Sequence, residues 1–135
     1  MNWTISNIDE LDTVAEALLK QLKPAVIYGL EGSLGAGKTT LVAALLKQLN
    51  YEGVSSPTFS IIHRYDAKIP VIHMDLYRME NDLSLDMLDL EHYFSQTNAY
   101  FFVEWPQRLK NLGYDYTVIQ IDKVNKHDRS ITLVD

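Results

Sequence analysis

The chain has 135 residues, a formal net charge of −6 and no cysteine. This length suits a single domain over residues 1–135, and the missing cysteines exclude disulfides and thiolate metal sites. Proteins that bind a nucleic-acid backbone by themselves usually carry a basic face, whereas the positive residues here are scattered, so we expect no direct nucleic-acid binding. No apolar stretch approaches the length of a membrane span and no leader-like segment is visible. We therefore expect a cytoplasmic protein without membrane contact.

The N-terminal part of the chain predicts a short strand followed by an amphipathic helix. Residues 3–5 are typical of a strand. Apolar residues recur at helical spacing over residues 10–22, which predicts a helix that Ser6 or Asp9 caps. Pro24 is expected to end this helix.

A glycine-rich segment follows an apolar, β-prone run at residues 25–28 and precedes a helical pattern at residues 40–49. From Gly32 to Thr39 it reads Gly-Ser-Leu-Gly-Ala-Gly-Lys-Thr. Four free positions separate the first glycine from Gly-Lys-Thr, as in a phosphate-binding loop. Strand, glycine-rich loop and helix in this order are the context that supports this interpretation.

Each part of this loop has a physical role in binding a nucleotide. The glycines let main-chain N–H groups converge on phosphate oxygens, and the start of the next helix adds its positive dipole end. Lys38 supplies a positive charge toward the β- and γ-phosphates. The Thr39 hydroxyl is a ligand for Mg²⁺.

The rest of the chain alternates strands and helices. One helix is predicted at residues 83–94, after a loop at residues 50–57. The remaining strands are predicted at residues 58–65, 71–74, 100–103, 116–121 and 130–134. This order indicates an α/β domain like those of P-loop NTPases, with a mainly parallel sheet flanked by helices. The last two strands are expected to form an antiparallel hairpin.

Two acids stand where a phosphate loop needs a carboxylate. Glu104 and Asp75 each end an apolar run, and open α/β sheets place ligands at the carboxyl ends of strands. Either acid is therefore a candidate to hold the Mg²⁺ water shell or to orient the attacking water. Thr58, in the loop after the phosphate-loop helix, is a candidate to sense the γ-phosphate.

Two other residues near these acids are open to more than one interpretation. His73 precedes Asp75 by two residues, and we interpret it as a hydrogen-bonded structural residue, because the four histidines lack metal-ligand spacing. Trp105 follows Glu104 directly and is expected either to pack under the phosphate loop or to fill the core.

A second nucleotide signature occurs near the end of the chain. Residues 125–128 read Asn-Lys-His-Asp, which matches the Asn-Lys-x-Asp sequence by which GTPases read guanine. Only seven residues follow this segment, too few for the helix that normally comes after the motif. The polar residues that flank the segment favour a hairpin turn. A GTPase that reads guanine with Asn125 and Asp128 remains an alternative.

Four motifs in one order resemble the TsaE (YjeE) family of small bacterial P-loop ATPases. Residues 34–40 are similar to its phosphate loop, and residues 55–59, Ser-Ser-Pro-Thr-Phe, to its switch segment. Residues 73–78, His-Met-Asp-Leu-Tyr-Arg, and residues 104–106, Glu-Trp-Pro, are similar to its two further motifs. The resemblance runs from about Ile5 to Trp105 and more loosely to the end of the chain.

The resemblance implies that the nucleotide is ATP, with Mg²⁺ at Thr39 and Glu104. It implies that Asp75 supports hydrolysis or the switch together with Thr58, and Asp75 is a further candidate ligand of Mg²⁺. The segment containing Asp9 and Thr13 is implied to lie near the adenine. The implied contacts of the phosphate-binding loop are Gly32, Leu34, Gly35, Ala36, Gly37, Lys38, Thr39 and Thr40.

The family serves threonylcarbamoyladenosine (t6A) modification of adenosine 37 in tRNAs that read ANN codons. The resemblance implies a switch acting on two partner proteins that transfer the threonylcarbamoyl group, and an acidic chain fits such a protein-facing role. We expect slow hydrolysis without the partners, since no arginine finger is evident beyond the candidates Arg64 and Arg78. The same phosphate loop would also suit a small metabolite kinase, or an interaction module that binds ATP without hydrolysing it.

Overall fold

The computed structural model describes residues 1–33, 35–51, 62–77 and 89–134. The strands are β1 (Asn2–Ile5), β2 (Ile27–Glu31), β3 (Ile62–Tyr65), β4 (Val71–Asp75), β5 (Tyr100–Glu104), β6 (Thr117–Lys123) and β7 (Arg129–Leu133). The helices are α1 (Leu11–Leu19), α2 (Lys38–Gln48), α3 (Leu90–Phe94) and α4 (Gln107–Asn111), and a 3-10 turn (Ile8–Glu10) precedes α1.

The strands form one sheet in the order β1-β7-β6-β2-β5-β4-β3. The four central strands, β6, β2, β5 and β4, are parallel to one another. Antiparallel pairs lie at both edges, β1–β7–β6 on one side and β4–β3 on the other. The predicted α/β fold and its C-terminal antiparallel hairpin are confirmed, and parallel pairing is confined to the centre of the sheet.

Strand β5 shows how the core is divided by the sheet. All five of its residues are buried, which is typical of a central parallel strand covered on both faces. Tyr100 and Phe102 pack in the same apolar cluster as α1 and α2, whereas Phe101 and Val103 pack in the cluster that contains residues of α3 and α4. Because side chains alternate along a strand, one apolar run supplies both layers.

Strand β2 begins two residues later than the prediction of 25–28 and continues to Glu31. Ala25 has a left-handed backbone, with φ of 69°, and its N–H donates to the Ala99 carbonyl in a turn. Parallel pairing with β5 and β6 then carries the strand on, matching Leu30 with Glu104 and Glu31 with Gln120. The bounds of β2 are set by its pairing with neighbouring strands, so the residues of β2 alone do not predict them.

The first helix is shorter than predicted and has a different cap. Neither Ser6 nor Asp9 caps it; the Asn7 side chain accepts from the Glu10 N–H and caps the 3-10 turn that leads into α1. The helix ends at Leu19 instead of residue 22, where the backbone tightens into i,i+3 bonds before Pro24. The sequence analysis missed this cap because Asn7 precedes the 3-10 turn and not the first residue of α1.

Two further differences concern helix starts. Helix α2 begins at Lys38, inside the phosphate-loop motif, and not at residue 40. The helix predicted at residues 83–94 is not continuous, because Asp89 has φ of 54° and α3 begins after it at Leu90. The parts of that helix before Asp89, and residues 58–61 of the strand predicted at 58–65, lie outside the described residues.

Candidate active site

The phosphate loop connects the end of β2 with the start of α2. Gly37 precedes the helix with φ of 111°, a conformation that residues with a Cβ rarely adopt. Gly32 leaves β2 so close to β6 that a Cβ atom there would lie 2.3 Å from the Ile121 carbonyl oxygen. Both glycines are therefore required by the geometry, and together they bend the chain from the sheet edge into the helix. Leu34 lies outside the described residues.

The Lys38 ammonium is enclosed at the mouth of this loop. The residue is only 5% exposed, and its Nζ donates to the Gly32 carbonyl at 3.0 Å. Burial lowers the pKa of Lys38, an effect that the nearby carboxylates of Glu104 and Asp75 partly oppose. A desolvated cation between a carbonyl and a glycine-rich loop is well placed to bind an anion that replaces its lost hydration.

Trp105 contacts Lys38 from the other side. The Lys38 Nζ lies 4.0 Å from the centroid of the indole ring, a cation–π distance. Trp105 itself has φ of 59°, and its ring lies 4.7 Å from that of Tyr77. Trp105 also packs against the apolar cluster that contains Phe101 and Val103. It therefore contacts both the phosphate-loop lysine and the core.

A hydrogen-bonded group at the ends of β4 and β5 holds the Glu104 carboxylate. The Thr39 hydroxyl donates to Glu104 Oε2 at 3.0 Å, and His73 Nε2 donates to the same oxygen at 2.5 Å. Glu104 is 4% exposed and His73 is fully buried. Two donors on one oxygen fix the orientation of the carboxylate beside the phosphate loop.

Asp75 lies next to Glu104 at the same sheet edge. The register of the parallel strands β4 and β5 pairs these two residues. Asp75 is half-buried, and its Oδ1 accepts from the Tyr77 main-chain N–H at 3.0 Å. The two acids that the sequence singled out therefore lie side by side, close enough for both to act on the Lys38 ammonium.

The donor set suits Mg²⁺ that is shared with a nucleotide. Mg²⁺ prefers hard oxygen ligands and is usually held by one or two carboxylates together with phosphate oxygens and water. Thr39 and Glu104 supply a hydroxyl and a carboxylate, with Asp75 adjacent. Within the described residues no cluster of three or more His, Cys, Asp or Glu side chains forms a metal cage.

A cavity of about 390 Å³ extends from the phosphate loop toward the N-terminal segment and the turn between β6 and β7. Its phosphate-loop side is formed by Gly35, Ala36, Gly37 and Thr40. Ser6, Asn7, Ile8 and Leu11 form a second wall, and Lys126, His127 and Arg129 a third. Asp9 and Thr13 are exposed and do not belong to the described lining, so their place near the adenine stays a prediction.

The sequence missed two parts of the site. One is the partner of His73: the predicted hydrogen bond of this residue is made to Glu104, and strand alternation already places His73 on the same face as Asp75. The other is the cavity wall beyond the phosphate loop, which is built from segments far apart in the chain. Thr58 and Arg78 lie outside the described residues, and Arg64 is exposed and donates to Asp66 and Gln96.

The Asn-Lys-His-Asp segment is a hairpin turn, as its flanks predicted. Asn125 Oδ1 accepts from the main-chain N–H groups of His127 and Asp128, each at 2.9 Å. Asn125 Nδ2 also donates to Asp128 Oδ2 at 2.8 Å. The two side chains of the guanine signature thus bond to each other and to the turn.

None of the helices in the described part of the chain is long and apolar enough to cross a membrane.

Known proteins resemble this chain in both sequence and structure. The profile of the family described as threonylcarbamoyl adenosine biosynthesis protein TsaE matches residues 5–131. A Synechocystis sp. protein named tRNA threonylcarbamoyladenosine biosynthesis protein TsaE is 38% identical over 117 residues, covering 83% of this chain and 74% of its own. A protein of the same name from Bacillus subtilis is 35% identical over 135 residues, covering 98% and 84%.

The fold agrees with these sequence matches. The crystal structure of YdiB from Bacillus subtilis superposes with a TM-score of 0.78 at 30% identity, covering 98% of this chain and 83% of that one. The family profile spans most of the chain. The chain belongs to the TsaE family.

Proposed function

We propose that this protein is a Mg²⁺-dependent ATP hydrolase that serves t6A modification of adenosine 37 in tRNAs that read ANN codons. The relatives are named for threonylcarbamoyladenosine biosynthesis, which supplies the pathway. The observation that best supports hydrolase activity is the contact of Thr39 with Glu104 beside the buried Lys38. It brings together the hydroxyl, the carboxylate and the ammonium group that a phosphate loop needs.

Lys38 and the main-chain N–H groups of the loop bind the triphosphate in this proposal. An incoming γ-phosphate offers the Lys38 ammonium charged oxygens in place of the Gly32 carbonyl and the face of Trp105. Thr39 and Glu104 would hold Mg²⁺, which would supply positive charge that neutralises phosphate oxygens. Burial of Lys38 and Glu104 makes their electrostatic effect on the phosphates stronger than it would be in water.

Asp75 is the group that orients the attacking water. Its Oδ1 is occupied by the Tyr77 N–H, which fixes the carboxylate and leaves Oδ2 to accept from water. Water attacks the γ-phosphorus, the bond from that phosphorus to the bridging oxygen of ADP breaks, and the proton of the water ends on the released phosphate. Thr58 is proposed to sense the γ-phosphate and to report hydrolysis.

The output of this cycle is a switch on two partner proteins that transfer the threonylcarbamoyl group. A net charge of −6 without a basic face suits protein partners better than tRNA. Arg64, a candidate arginine finger, is engaged by Asp66 and Gln96. Turnover by the isolated chain is therefore slow, and activation comes from the partners in the cytoplasm.

The test measures release of inorganic phosphate from ATP and from GTP with Mg²⁺, with and without the two partners. We expect ATP to be preferred and its turnover to rise when the partners are added. Lys38→Ala and Glu104→Ala should each lower turnover by about 100-fold or more. Lys68→Ala, which removes an exposed lysine outside the site, is the matched control and should retain turnover.

Three outcomes would overturn the proposal. Full turnover in Glu104→Ala removes the assigned role of that carboxylate. A preference for GTP identifies a guanine-reading GTPase instead. Transfer of the phosphoryl group to a metabolite, with little inorganic phosphate released, identifies a kinase.

A further inference from the structure

The Tyr116 side chain crosses strand β2 at Gly29. A Cβ atom on Gly29 would lie 2.4 Å from Tyr116 Cδ2 and 2.8 Å from two carbons of Pro106, so only glycine allows this close approach. Positions 29 and 31 share one face of β2, because side chains alternate along a strand. The ring runs along this face, and the Tyr116 hydroxyl donates to Glu31 Oε1 at 3.2 Å. Tyr116 thus links the residue before β6 with the last residue of β2.

The bond to Glu31 leads directly to the lysine of the phosphate loop. Glu31 ends β2, and Gly32 follows it. The Gly32 carbonyl accepts from Lys38 Nζ at 3.0 Å, and the closeness of the Ile121 carbonyl restricts the movement of Gly32 toward β6. Holding Glu31 in place therefore fixes the carbonyl that receives the Lys38 ammonium.

A second set of contacts reaches the same lysine through Pro106. Tyr116 and Pro106 both crowd one point above β2. Pro106 follows Trp105, whose indole centroid lies 4.0 Å from Lys38 Nζ. Helix α4 begins directly after Pro106, and the Nζ of its Lys110 lies 5.2 Å from the centroid of the Tyr116 ring. The ring is thus held between β2 and α4, at the base of the segment that carries Trp105.

We propose that Tyr116 and Glu31 are positioning residues that hold the Lys38 ammonium in place for the phosphates of ATP. The inference rests on the proposed binding of ATP. Two lines of contact start at Tyr116 and end at Lys38, one through the Gly32 carbonyl and one through the Trp105 ring. Neither Tyr116 nor Glu31 belongs to the described lining of the cavity beside the phosphate loop, and their effect is exerted through Lys38. A lysine needs such support because its four-carbon side chain is flexible.

The hydrogen bond between Tyr116 and Glu31 can be removed without removing either backbone contact. Burial and the Glu31 carboxylate raise the pKa of Tyr116 to about 12, so the hydroxyl keeps its proton at pH 8 and donates. Tyr116→Phe removes this donor and keeps the ring that packs on Gly29. Glu31→Gln keeps an acceptor oxygen for the bond, whereas Glu31→Ala does not. These three variants separate the bond from the packing of the ring.

The experiment measures phosphate release at saturating ATP and Mg²⁺, and ATP affinity by isothermal titration calorimetry, on the full chain at pH 8. We expect Tyr116→Phe and Glu31→Ala each to lower turnover about fivefold or more, because a small displacement of a catalytic group is costly. Each should weaken ATP binding about threefold, the loss expected from one hydrogen bond. Glu31→Gln should stay within about twofold of the unaltered protein in both measurements. The doubly substituted chain should lose no more than either single variant, because both changes break the same bond.

A second background tests whether the effect passes through Lys38. In Lys38→Ala, the further change Tyr116→Phe should leave ATP affinity unaltered, because the group that Tyr116 positions is gone. Tyr28→Phe is the control for a loss of stability alone. It makes the same change on β2 and removes the hydroxyl that accepts from the Lys23 N–H at 2.7 Å. It should lower the free energy of unfolding, as Tyr116→Phe does, and retain turnover.

Unchanged turnover and ATP affinity in Tyr116→Phe and Glu31→Ala, with only the stability lowered, overturn the inference. An equal loss of ATP affinity in the Lys38→Ala background overturns it as well, because the effect then bypasses Lys38. A loss in Glu31→Gln as large as in Glu31→Ala overturns the role of the hydrogen bond. If the expected affinities occur without any hydrolysis, the positioning role stands and the proposed hydrolase fails. If the unaltered protein binds no ATP, both proposals fail.

Discussion

His73 connects the centre of the sheet with the site. To donate to Glu104 its Nε2 must carry a hydrogen, and its Nδ1 is buried without a hydrogen-bond partner among the described residues. A buried polar atom without a partner has a free-energy cost, so the bond to Glu104 is what this histidine contributes. His73 is a positioning residue: it would act on the proposed Mg²⁺ site through Glu104.

We expect His73→Ala to raise the Mg²⁺ concentration that gives half-maximal ATP turnover by about tenfold, because residues that orient metal ligands commonly have effects of this size. ATP affinity measured without Mg²⁺ should stay the same, since Lys38 and the loop are unaltered. The measurements are a Mg²⁺ titration of turnover and calorimetry in EDTA. His63→Ala is the control, because His63 pairs with His73 across β3 and β4 but bonds to Tyr65. An unchanged Mg²⁺ requirement in His73→Ala contradicts the role.

At the scale of the element, the β6–β7 turn shows that a short sequence can match a guanine-binding signature and still serve to close a hairpin. Its Asn and Asp match a guanine signature, yet both are used to close the hairpin. We expect Asp128→Ala to leave the ratio of GTP to ATP affinity within about twofold and to lower the free energy of unfolding by about 0.5–1 kcal/mol. The two quantities come from competition binding and urea denaturation.

Asp122→Ala is the matched control for this change, because Asp122 also accepts one amide hydrogen bond, from Gln120, on the same hairpin. It should have a similar effect on stability and none on nucleotide affinity. A shift of tenfold or more toward ATP in Asp128→Ala alone would show that Asp128 reads guanine.

The elements also show which features the sequence predicts and which it does not. The strand that ends at Glu104 and the phosphate loop were predictable because their signals are local: an apolar run followed by an acid, and glycines at fixed spacing. The bounds of β2 depend on its pairing with β5 and β6. The cap at Asn7 depends on a 3-10 turn that no periodicity indicates.

The site itself was only partly predictable for the same reason. Lys38, Thr39, Glu104 and Asp75 were identified because each follows a strand or a motif. That Thr39 and His73 share one oxygen of Glu104 depends on the register of parallel strands. The cavity beside the phosphate loop requires three segments to meet, and contacts of this kind cannot be read from one sequence.

At the scale of the whole molecule, the sheet brings distant residues to one edge. Thr39 and Glu104 are 65 residues apart in the chain, and His73 and Glu104 are 31 apart. The central parallel strands end at that edge, so the geometry of the site depends on the packing of both core layers. Conditions that weaken the packing of the sheet should therefore lower the free energy of unfolding of the whole domain.

Alkaline pH is such a condition, because four tyrosines in the sheet region resist ionisation. Burial raises the pKa of Tyr28, Tyr65 and Tyr100. Burial and the neighbouring Glu31 carboxylate raise the pKa of Tyr116 to about 12. A group whose pKa is raised in the folded state stabilises it below the unfolded value, and this contribution is lost as the pH rises through the folded value. Stability should therefore fall between about pH 10 and pH 12.

Tyr116→Phe isolates one of these contributions. At pH 8 the variant lacks the hydrogen bond from the Tyr116 hydroxyl to Glu31 Oε1, 3.2 Å long, and should be less stable by about 0.5–1 kcal/mol. Between pH 10 and 12 the unaltered protein loses the contribution of Tyr116 while the variant has none to lose, so the difference between their unfolding free energies should shrink. Urea denaturation at several pH values measures it, and the other titrating groups are common to both proteins. A difference that stays constant or grows up to pH 12 would show that the Tyr116 hydroxyl ionises alike in the folded and unfolded chain.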